Sequence, residues 1–74
     1  MIVYKRIIDH VEYTVTFLSD GYVEIRYKDF IGSFGIIFKV ENNRLLVPNY
    51  LTPDNIPQNI IEHTNKLLKL KAFL

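Results

Sequence analysis

Two serines, two histidines and eight acidic residues are the first candidates in this 74-residue chain for acid–base or nucleophilic catalysis. There is no cysteine, which removes disulfides, thiolate zinc sites and a thiol nucleophile together. Ser33 sits in Gly32-Ser33-Phe34-Gly35, one residue short of a nucleophile elbow and without its strand–turn–helix setting, so it reads as a loop serine between glycines. His10 falls on a turn or strand and His63 on a helix, on opposite sides of the expected sheet. A zinc site needs three or four converging ligands, and no third is in view. Glu12, Glu24 and Glu41 alternate with Arg and Lys, the pattern of a solvated face rather than of two carboxyls with separated pKa values. No glycine-rich run precedes a helix, so no phosphate loop is expected. The expectation is a chain that is not an enzyme and uses no metal or cofactor.

Composition narrows the binding classes as well. Nine Lys and Arg against eight Asp and Glu leave a net charge of +1, far from a basic nucleic-acid coat. The amino terminus lacks the charge order and apolar length of a signal peptide, and no apolar run nears membrane-spanning length. A cytoplasmic protein with no membrane partner is expected. A single Ala beside ten Ile and six Asn points to an AT-rich coding sequence, as in phages and low-GC bacteria.

The elements that must position these residues follow from periodicity. Residues 10–18 alternate, with Val11, Tyr13, Val15 and Phe17 on one face; residues 22–28 repeat this with Val23, Ile25 and Tyr27. A three-residue Ser19-Asp20-Gly21 loop sets Phe17 opposite Val23, Val15 opposite Ile25 and Tyr13 opposite Tyr27. It also places Gly21 at the left-handed position and pairs Glu12 with Lys28. Residues 34–41 form a further strand. Asn42-Asn43 is its two-residue turn, pairing Glu41 with Arg44, Val40 with Leu45 and Phe38 with Val47 before Pro48 ends the ladder. Residues 2–8 form another strand, joined through Asp9-His10 by a tight turn or a bulge. Asp29 to Ser33 is a connector, with Gly32 and Gly35 allowing bends.

From Thr52 the spacing becomes helical. Ile56, Ile60, Ile61, Thr64, Leu67, Leu68 and Leu74 share a stripe, with Gln58, Glu62, Asn65, Lys66 and Lys69 opposite. Pro57 is read into the first turn, and about 16 residues of helix would span about 24 Å. Lys66, Lys69 and Lys71 near its end suit the helix dipole. The predicted fold is α+β: four or five antiparallel strands over residues 1–51, then one C-terminal helix over 52–74 packed on one face, in one domain. Phe17, Ile25, Phe38, Val40, Ile60, Leu67 and Leu68 are the expected core. The order of elements is similar to that of single-strand-binding coactivator domains, which dimerise through their helix; the likeness is one of topology.

Two binding surfaces follow. Leu18, Tyr22, Ile37 and Leu46 fall on the outer sheet face, and Leu70, Phe73 and Leu74 at the helix end; these seven are the expected partner-binding residues. A domain this small gains from association. The leading expectation is a small non-enzymatic protein-binding module, a regulator or inhibitor of phage or mobile-element type, with a homodimer as one form of partner. The alternative is single-stranded nucleic acid held on the same face by stacking on Tyr22 and phosphate contacts from Arg26, Lys28 and Lys39.

Overall fold

The fold is described from a computed structural model, in which residues 1–18, 21–48 and 56–70 are placed. Five antiparallel strands form one meander in chain order: β1 (Ile2–Ile8), β2 (Val11–Leu18), β3 (Tyr22–Lys28), β4 (Ser33–Glu41) and β5 (Arg44–Leu46). One helix, α1 (Gln58–Lys69), covers one face. The architecture is the α+β sheet-and-helix arrangement that the alternation predicts.

The turns set the registers. Asp9 and His10 have φ of 49° and 67°, and Asn42 and Asn43 have 52° and 60°, so two hairpins close through two-residue turns with both central residues left-handed. Asp, Asn and His tolerate that region better than most residues. Asp9-His10 is thus a tight turn, not a bulge; the irregularity of β1 lies instead between Ile2 and Tyr4. Gly21, at φ 81°, stands where the three-residue loop requires it, and the β2–β3 register pairs Phe17 with Val23, Val15 with Ile25 and Glu12 with Lys28. Residues 19 and 20 of that loop lie outside the described residues.

Three boundaries differ from expectation. The β4–β5 ladder ends at Lys39 with Leu46, so Phe38 does not pair with Val47. Counting from the turn, Pro48 falls where an N–H would have to bond Ile37, and proline has none. Ser33 and Gly35 belong to β4 rather than to a bend. Gly35 pairs with Arg26, and a Cβ there would stand 2.9 Å from the Arg26 guanidinium, so this glycine makes room for a side chain. The helix begins after Pro57, which has an extended ψ of 140° and occupies the cap position, giving 12 helical residues. The predicted start at Thr52 lies outside the described residues.

The inner face of the sheet and the helix stripe make the core. Val15, Val23, Ile25, Phe38, Ile60 and Leu68 are buried, together with Tyr13, Leu45, Ile56 and Ile61. Phe17, Val40 and Leu67, expected in the core, are only partly buried against it. The first two lie near the hairpin ends and Leu67 flanks the helical stripe, where one layer of helix runs out.

Polar groups tie the helix to both edges of the sheet. The Thr64 hydroxyl donates to the Ile60 carbonyl oxygen at 2.7 Å. The Tyr4 hydroxyl lies 2.8 Å from Thr64 Oγ1, where either hydroxyl can donate, and 3.2 Å from the same carbonyl oxygen, to which it can donate. Thr64 is fully buried, so Thr64→Val removes its hydrogen bonds to Tyr4 and to the Ile60 carbonyl oxygen together, and an expected loss of about 1–3 kcal/mol is measurable by urea unfolding. Burial, partly offset by the Thr64 hydrogen bond and by Arg6, raises the Tyr4 pKa above its ordinary value of 10.0. The folded state therefore holds this proton longer than the unfolded chain does. Its contribution is intact below pH 10 and is lost as pH climbs through the raised folded value. Tyr4→Phe is expected to flatten the fall in stability above that pH.

Candidate interaction surfaces

The meander places every second residue of each strand on the face away from the helix. In register, one row across that face reads Leu18, Tyr22, Lys39 and Leu46; the next reads Ile2, Thr16, Glu24 and Ile37. Cross-strand neighbours stand about 5 Å apart and diagonal ones about 7–8 Å. Leu18, Tyr22, Ile37 and Leu46, scattered in sequence, therefore form one patch around the Lys39 stem. Ile37 is 59% and Leu46 54% exposed; Tyr22 is exposed and Leu18 half-buried. No described element lies over them.

The expected partner set is thus divided. Leu70 is exposed at the end of α1, on the far side of the sheet from that patch, so it does not belong with the other four. Phe73 and Leu74 lie outside the described residues.

The nucleic-acid set shares the open face. Tyr22 pairs directly with Lys39. Arg26 is engaged: its guanidinium pairs with Glu24 at 3.2 Å and donates to Ser33 Oγ at 3.4 Å. That exposed pair contributes little stability, but it leaves the Arg26 charge partly neutralised by Glu24.

One apolar site has no counterpart in the sequence reading. The four residues Asp29 to Gly32 link β3 to β4, and Asp29 Oδ1 accepts hydrogen bonds from the Ile31 and Gly32 amides at 2.8 and 3.0 Å. The Asp29 amide donates to the Gly32 carbonyl oxygen at 3.0 Å. This closed turn holds Phe30, 98% exposed, and Ile31, 77% exposed. Apolar residues in a connector carry no periodicity, so only their exposure marks them.

Asn65 is the other departure. The helical wheel puts it on the solvent side, yet its Oδ1 accepts from the Leu45 amide at 2.7 Å. Beside it, Asn42, Asn43, Arg44, Glu62, Lys66 and Lys69 line an open groove of about 530 Å³. The groove contains neither serine nor histidine. His63 packs edge-on against the Tyr4 ring at 4.9 Å, while His10 is in the β1–β2 turn. Among the described residues no three His, Asp or Glu side chains are grouped as metal ligands, and no helix is long and apolar enough to cross a membrane.

Compared with models of protein families, with curated proteins and with solved structures, the chain matches none. Any functional reading therefore rests on these surfaces alone.

Proposed function

We propose that this chain works by binding another protein through the open face of its sheet. The observation that carries the reading is the register, which gathers Leu18, Tyr22, Ile37 and Leu46 into one patch that no described element covers. Apolar residues exposed singly need no explanation, but contiguous ones gain by leaving water at about 25 cal/mol per Å². The patch has the anatomy of an interface: an aromatic and aliphatic centre with a charged rim.

The rim selects the partner. Along the outer face the strands carry five cations (Lys5, Arg26, Lys28, Lys39 and Arg44) against three carboxylates (Glu12, Glu24 and Glu41). Two copies face to face would repel, so an apolar surface with an acidic rim fits better than a second copy. Single-stranded nucleic acid carries less support, since among the described residues Tyr22 is the one aromatic on the face and Arg26 is held by Glu24. A regulator or inhibitor from a phage or mobile element remains the biological setting we favour, on composition.

The test compares what is captured from lysate by the parent chain, by the Ile37→Asp/Leu46→Asp variant and by Leu70→Asp. Proteins captured by the parent and by Leu70→Asp, and lost with the double variant, support the reading. A set common to all three chains, or none with the parent, contradicts it.

A further inference from the structure

The two edges of the sheet are treated differently. A two-residue turn makes its flanking residues a hydrogen-bonded pair, and the pairs then alternate along the ladder. At the β4–β5 turn, Glu41 and Arg44 are the bonded pair, so the Leu45 amide points away from the sheet. It meets Asn65 Oδ1 at 2.7 Å. β5 is three residues long and the helix lies against it, so this edge is closed.

β1 is seven residues long. Counting from the Asp9-His10 turn, Ile8 and Val11 are the bonded pair, and the N–H and C=O groups of Ile7 and Lys5 point outward. Past the irregularity between Ile2 and Tyr4 the bonding to β2 resumes, with Met1 and Phe17 exchanging both hydrogen bonds at 2.8 and 3.1 Å. Among the described residues, the Lys5 and Ile7 amides meet no partner. Ile7 is 70% exposed beside them.

Charge decides what this edge accepts. Lys5 and Arg6 are consecutive and therefore lie on opposite faces of the strand. A second copy pairing antiparallel through the outward groups has two registers in mid-strand. One sets Lys5 against Lys5 and the other Arg6 against Arg6, and like charges directly opposed are destabilising. Pairing Tyr4 with Tyr4 runs into the irregularity between Ile2 and Tyr4, and pairing Ile7 with Ile7 runs off the strand into the Asp9-His10 turn. A lysine on an edge strand is a common barrier to self-pairing, and the same lysine attracts a strand of the opposite charge.

We infer that the β1 edge takes an extended acidic segment of a protein partner as a sixth strand. Two adjacent carboxylates would meet Lys5 and Arg6, and flanking apolar residues would cover Ile7 and Ile2. Main-chain bonds give affinity in this mode and the alternating side chains give specificity. The inference rests on the protein-binding reading above and names the chemistry of the partner.

The test titrates the isotopically labelled chain with a capped peptide, Val-Thr-Val-Glu-Glu-Val-Thr-Val, and with its Lys-Lys counterpart. Amide shifts centred on residues 5–7 and slowed exchange of the Lys5 and Ile7 amides are expected with the Glu-Glu peptide alone. Ile7→Pro removes an outward N–H that the β1–β2 ladder does not use, a position where an edge strand tolerates proline. Binding should weaken about tenfold or more, with the circular dichroism unchanged. Should that variant misfold, Lys5→Glu/Arg6→Glu tests the same point by exchanging the preference to the Lys-Lys peptide. No shift at millimolar Glu-Glu peptide, or undiminished binding by folded Ile7→Pro, overturns the inference. If Ile37→Asp/Leu46→Asp still abolishes partner capture, only the edge inference falls; if capture also survives that variant, the open-face reading falls with it.

Discussion

Phe38→Ala is expected to remove a large part of the protein's stability. Phe38 is the largest fully buried side chain, 1% exposed, on the central inner face between Val23 and the helix stripe. Truncating a buried Phe costs about 3–5 kcal/mol, from lost transfer energy and the cavity left behind. A chain of this size has about 4–11 kcal/mol in total at the usual stability per residue. No disulfide limits the unfolded state. Urea unfolding should show a midpoint reduced by about a quarter or more. Phe34→Ala is the comparison. Phe34 stacks on Tyr27 at 5.5 Å but is 48% exposed, so its loss should cost well under half as much. Equal losses at the two positions would mean that the helix does not cover the sheet as described.

The position of Phe38 was legible in the sequence because a strand has a period of two. One residue of slip exchanges buried and exposed sets, so alternation with a defined turn length fixes the register. The pairs Val15–Ile25, Tyr13–Tyr27 and Val40–Leu45 follow from that rule and are present. The four open-face residues were legible for the same reason, as the complement of the buried set. Other features had no such rule behind them. Asn65 looks solvent-facing on a helical wheel, because its partner is an edge amide whose place depends on how helix and sheet meet. Phe30 and Ile31 stand in a connector, where neither periodicity nor pairing predicts exposure. The end of β5 depends on the bonding phase of the hairpin as well as on the presence of Pro48.

Ile37→Asp is expected to leave the fold intact and weaken partner binding by about 2 kcal/mol or more, roughly thirtyfold. Ile37 pairs with Glu24 on the open face and lies diagonal to Tyr22 and Leu46, so it stands at the middle of the patch. In the free chain its side chain is largely in water, and the change costs little stability. In a complex, a carboxylate there is desolvated at the centre of an apolar contact, beside Glu24. Binding and urea unfolding measured on one preparation separate the two effects. A large drop in stability with unchanged affinity would place Ile37 in the core and not at an interface.

Side-chain footprinting with hydroxyl radicals, on the chain alone and with the partner it captures, tests the central claim most directly. Tyr22, Ile37 and Leu46 should lose reactivity together on binding, while Leu70, on the other side of the sheet, keeps its own. Protection of Leu70 with Tyr22, Ile37 and Leu46 unchanged would contradict the proposal that the open sheet face is where this protein binds.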